Sequence, residues 1–128
     1  LLNKKMKKHI YSIYGYVRFA DEIVDSFHNY DKEWLLEDFR IQTLEAIERG
    51  ISLNPIINSF QETVKEYNIG LDLIDSFLHS MKMDLNKQEF DSHKYEEYIY
   101  GSAEVVGLMC LKVFTGGNRV NLLLTKKL

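Results

Sequence analysis

Proline occurs once in these 128 residues, at Pro55, and long stretches on either side of it carry helical rather than alternating spacing of apolar residues. Without breakers or a period-two pattern, such a chain has one economical solution, a set of helices burying one stripe each. The spacing predicts five of them. The first runs from about Asn3 to Phe27 and stops near His28, Asn29 and Tyr30. Asp31 caps the second, which ends at Gly50, and Asn54 with Pro55 at the first helical position opens the third. Ile57, Phe60, Val64 and Tyr67 form its stripe. Gly70 separates it from a fourth helix with Ile74, Phe77 or Leu78, Met81 and Leu85 on one side; Asp91 or Ser92 opens a fifth that carries on to Phe114. The connections are short, which favours antiparallel neighbours in an all-α bundle.

Composition excludes several classes. With 45% hydrophobic and 27% charged residues the chain fits a soluble globular protein rather than a disordered one. A net charge of −3 argues against nucleic acid as a partner. Lys4, Lys5, Lys7 and Lys8 form the one basic cluster, read as a solvated helix end, with phosphate or an anionic membrane surface as the other reading. Cys110 is the lone cysteine, so no disulfide framework or thiolate metal site is expected, and it lies in an apolar run, Val105 to Phe114, too short to span a membrane. His9, His28, His79 and His93 lack ligand spacing. A cytoplasmic or membrane-associated setting is expected, and nothing in the sequence sets an oligomeric state.

The first helix carries the chemistry. On a helical wheel Ile10, Ile13, Val17, Ala20, Val24 and Phe27 form a stripe, with Tyr14, Arg18, Asp21, Asp25 and His28 beside it. Asp21 and Asp25, at i and i+4, point the same way with β-carbons about 5–6 Å apart. Two anions held together need a cation, and carboxylate oxygens suit a hard one; Mg²⁺ is commonly shared between one or two carboxylates and a substrate phosphate. Arg18, one turn earlier, can hold the same phosphate through its planar fork. The plainer reading of this pattern is a surface helix with an Arg18–Glu22 ion pair.

The stretch YGYVRFADEIVD resembles the first aspartate-rich motif of the squalene/phytoene synthase family, R-x-x-D-x-x-x-D after a tyrosine-rich lead, with Arg18, Asp21 and Asp25 on its arginine and two aspartates. YIYGSAEVVGLMCLKVF is similar to the family's Y-x-x-x-x-A-x-x-V-G segment, with Tyr98, Ala103, Val106 and Gly107 in register and Glu104 departing from a frequent glycine. SMKMDL, Ser80 to Leu85, is similar to G-M-x-M-D-L, with Ser80 replacing the glycine. The three occur in the family's order.

The resemblance implies an isoprenoid (terpenoid) synthase type of helical bundle over residues 1–117, with 118–128 a short tail. It implies a Mg²⁺-dependent prenyltransferase joining two isoprenyl diphosphates head to head, as in the conversion of geranylgeranyl diphosphate to phytoene; squalene and dehydrosqualene synthases differ in prenyl length. Metal-bound diphosphate leaves one donor, and the second donor's double bond attacks the allylic cation to give a cyclopropylcarbinyl diphosphate, which ionises again and rearranges. Asp21 and Asp25 would be metal ligands and catalytic, Arg18 a diphosphate ligand, Tyr98 a catalytic group at the reaction centre, and Ala103, Val106 and Gly107 lining of the prenyl cavity. The small residues are also expected to let this helix lie close to its neighbours. The family's second aspartate-rich motif does not occur after Gly117, and the chain begins with Leu1, so an incomplete site is expected, with a sticky apolar surface along the fifth helix. A non-catalytic helical relative acting in protein interaction is the alternative.

Overall fold

The computed structural model describes residues 3–86 and 90–116. These residues are helical with no strand among them: α1 (Lys4–Asp25), α2 (Lys32–Arg49), α3 (Pro55–Tyr67), α4 (Leu71–Asp84), α5 (Ser92–Ile99), a π-helical turn (Tyr100–Glu104) and α6 (Val105–Phe114). The tail expected over 118–128 lies outside the described residues.

The punctuation is set by side chains that satisfy orphan amides at helix starts. Asn3 accepts from the Met6 amide, Asp31 from Trp34, Asn54 from Ile56 and Ile57, and Asp91 from Lys94. Gly50 closes α2 in the left-handed region, where a side chain is strained. The break after α3 falls at Asn68, also left-handed, two residues before the expected Gly70, which caps α4 instead.

α1 is the central helix and packs against α2, α3, α4 and α6. Its pairings with α2 and α3 run antiparallel: Tyr16 meets Thr43, Lys32 reaches the Val24 carbonyl, Lys5 meets Glu66, and His9 meets Thr63. Ile57, Phe60, Val64 and Tyr67 are buried as the spacing predicts, as are Ile74, Phe77, Leu78 and Met81; Leu85 is half-buried.

Two expectations for the apolar faces change. The buried face of α1 is His9, Ile13, Tyr16, Ala20, Ile23 and Val24, rotated from the predicted stripe, while Phe27 lies beyond the helix end and is exposed. In α6 the apolar run is largely core: Val105, Met109 and Val113 are fully buried, Cys110 is half-buried, and Phe114 is exposed. A sticky surface along the whole run is therefore not what the described residues present.

His9 is a buried titratable group in this core. Its Nδ1 lies 2.7 Å from Thr63 Oγ1, and its ring stands edge-on to Tyr67. Burial lowers its pKa, Lys8 and Lys5 add to this, and Glu66 and Glu62 oppose it. The unfolded chain therefore binds the His9 proton more readily than the folded one. Stability from this group is full above the ordinary histidine value of about 6.5 and declines as pH falls through it. Urea midpoints measured from pH 7.5 to 5 are expected to fall, and His9→Gln is expected to flatten that dependence. An unchanged slope in the variant would remove His9 as its source.

Candidate diphosphate and metal site

The positions at issue occupy one flank of α1. Arg18 and Asp25 are exposed and Asp21 is half-buried. Ser12, which accepts from Thr63 of α3, is nine residues before Asp21, or about half a turn around the helix. Asp21 thus lies away from the α3 contact, on the side of α1 left for its other neighbours, among them α6.

The electrostatics of that flank are those of an acid pair short of positive charge. The Asp21 carboxyl is pushed up from its ordinary value by burial first, then by Asp25, with Glu22 adding a little; Arg18 opposes the rise. Glu22 accepts a 2.9 Å hydrogen bond from Ser26 Oγ. Among the described residues Arg18 forms no ion pair with it, so the plain surface pairing is not what the helix adopts. Two carboxylates one helical turn apart, one of them with raised proton affinity, and one nearby guanidinium are the kind of groups that a hard divalent cation sharing phosphate oxygens would need. Among the described residues no cluster of three or more His, Cys, Asp or Glu side chains is able to hold a metal ion. The pair is therefore the whole of the donor set in view.

The second group of positions lies on the rod formed by α5, the π turn and α6. Tyr98 is half-buried with its ring 5.4 Å from Phe90; Val106 is half-buried; Ala103 and Gly107 are exposed. Close packing at Gly107 does not occur, since a β-carbon there would meet nothing within 4 Å. The close approach is at Gly101, where a β-carbon would come 2.5 Å from the Ser76 carbonyl oxygen and 2.7 Å from Ser80 Cβ. Ser80, the residue in place of the family's glycine, is fully buried, and its hydroxyl donates to the Phe77 carbonyl. Sequence reading passed over Gly101 and the π turn, although a glycine in mid-helix was a signal for one of them. Asp84, in the SMKMDL stretch, is half-buried.

Clefts elsewhere do not involve these positions. One of about 560 Å³ between α2 and α4 is lined by Trp34, Leu36, Arg40, Asp75, Leu78 and His79 among others. An apolar one of about 330 Å³ lies between α1 and α2 around Phe19, Ile23, Phe27 and Phe39. Among the described residues no helix is long and apolar enough to cross a membrane.

Fold and flank together define an all-helical bundle with an acid pair on its central helix. The family model for squalene/phytoene synthase matches residues 1–125. The chain is also similar to phytoene synthase 1, chloroplastic, of Arabidopsis thaliana: 27% identical over 117 residues, covering 88% of this chain and 27% of that protein. No solved structure is significantly similar. The chain belongs to the squalene/phytoene synthase family, and it spans about a quarter of the length of the curated relative it matches.

Proposed function

We propose that this chain supplies one wall of a Mg²⁺-dependent site that binds isoprenyl diphosphates for head-to-head condensation, with geranylgeranyl diphosphate as substrate and phytoene as product. The observation that carries the reading is the Asp21–Asp25 pair, whose half-buried member has raised proton affinity beside Arg18. Asp21 and Asp25 would hold the ion, and Arg18 would grip non-bridging phosphate oxygens through its fork. The bound ion would offset the negative charge that gathers on a departing diphosphate. Tyr98, Ala103 and Val106 would face the hydrocarbon and keep water from the allylic cation left behind.

Ligand binding changes the free energy of the folded state alone, so thermal melting reads it directly. The melting temperature is expected to rise when millimolar Mg²⁺ and inorganic diphosphate are present together, and to move little with either alone. No shift with both would sink the reading. Tyr98→Phe tests the hydrocarbon side of the reading: it deletes a hydroxyl from a half-buried ring packed on Phe90 and keeps the volume. Stability is expected to stay within about 1 kcal/mol. Geranylgeranyl diphosphate binding is expected to weaken while inorganic diphosphate binding is unchanged; equal effects on both ligands would place the hydroxyl away from the hydrocarbon.

A further inference from the structure

The spacing of Tyr98, Ala103 and Val106 does not suit an α-helix. At about 100° per residue, Ala103 would lie about 140° around from Tyr98, and Val106 about 80°. The π turn at Tyr100–Glu104 changes the phase. There the Val105 amide donates to the Tyr100 carbonyl, five residues back rather than four, so the turn takes in one extra residue. With that residue absorbed, Val106, past the turn, comes to about 20° from Tyr98, and Ala103, inside the turn, takes part of the same shift. Burial agrees: Gly101, Val105 and Met109 are buried on one side of the rod, whereas Tyr98 and Val106 are half-buried and Ala103 is exposed.

A π turn is rarely stable by itself and needs a local cause. Here the rod runs antiparallel to α4, with His79 3.1 Å from Glu97 and Gly101 set against Ser76 and Ser80. The atom nearest a β-carbon at 101 is the Ser76 carbonyl oxygen, part of the α4 backbone and unable to swing aside as a side chain would. We infer that Gly101 is a positioning residue: its bare backbone, seated on Ser76 and Ser80, holds the π turn that brings Tyr98 into line with Val106 and turns Ala103 toward them. The role in prenyl recognition rests on the function proposed above; the phase of the helix does not.

Two variants of the 128-residue chain test this by NMR. In the unmodified chain, scalar coupling across the hydrogen bond should link the Val105 amide to the Tyr100 carbonyl, and the Tyr98 and Phe90 rings should show mutual contacts. Gly101→Ala is expected to move the coupling to the residue 101 carbonyl and to abolish the ring contacts. Deleting Ser102 removes the extra residue, so it should give a regular α-helix that keeps Tyr98 in phase and retains those contacts. Binding of geranylgeranyl diphosphate relative to inorganic diphosphate, both with Mg²⁺, should fall about tenfold in Gly101→Ala and hold in the deletion variant. Persistence of the 100–105 bond or of the full prenyl preference in Gly101→Ala would overturn the inference. So would loss of the ring contacts on deleting Ser102, which decides the matter even when Gly101→Ala does not fold. An unmodified chain with no prenyl preference would defeat the functional reading, while couplings and ring contacts would still decide what Gly101 does.

Discussion

Truncating Tyr16 to alanine is expected to cost about 3–5 kcal/mol, the range for removing a large buried aromatic. Tyr16 is fully buried, and its ring stacks at 3.8 Å on Phe60 and 4.8 Å on Phe39, with Phe77 at 6.1 Å. One side chain on α1 thus ties together α2, α3 and α4. Its hydroxyl lies 2.8 Å from Thr43 Oγ1, and Thr43 spends its only hydroxyl proton on the Phe39 carbonyl. Tyr16 must therefore be the donor, and burial holds its phenol proton on well above the usual range. Tyr16→Phe keeps the rings and leaves Thr43 still bonded to Phe39, so about 1 kcal/mol is expected there. Denaturant midpoints for the two variants should differ widely; similar midpoints would mean that the ring stack contributes little. A domain of this size has about 5–15 kcal/mol in hand, so the alanine variant should lose a large share of its stability.

Tyr16 also shows what was legible in the sequence. The stripes of α3 and α4 consist of aliphatic and aromatic residues at helical spacing, and burial follows them. The caps were readable because Asn and Asp before a helix have one evident use. On α1 the reading was off by part of a turn, because Tyr16 and His9 carry polar tips and do not register as core. Each is buried only because a threonine from another helix, Thr43 or Thr63, meets its polar atom. Such tertiary partners leave no local trace. The π turn was hidden for a related reason: the backbone of α4 against Gly101 is a non-local contact. The adjacency of Asp21 and Asp25 followed from spacing alone, whereas the burial of one and exposure of the other depends on how α1 is seated.

That asymmetry makes Asp21 the more sensitive test of the site. Asp21→Asn keeps the shape of the side chain and removes one anion from a pair that repels. Without ligand, the variant should therefore melt no lower than the unmodified chain, and slightly higher at neutral pH, where Asp25 would otherwise repel the Asp21 carboxylate. With Mg²⁺ and diphosphate the order should reverse. Loss of a direct anionic oxygen ligand is expected to weaken binding about a hundredfold and to erase most of the ligand-induced rise in melting temperature. Arg18 and Asp25 remain in place, so some binding of diphosphate should survive. The proton competes with the ion for the same oxygens, and the raised proton affinity of Asp21 moves that competition to higher pH than an ordinary aspartate would show. Binding by the unmodified chain should accordingly weaken as pH falls toward the acid range, and Asp21→Asn should lose the part of that dependence that Asp21 supplies. A variant that melts lower without ligand yet responds fully to Mg²⁺ and diphosphate would give Asp21 a structural role and leave the ion to other residues.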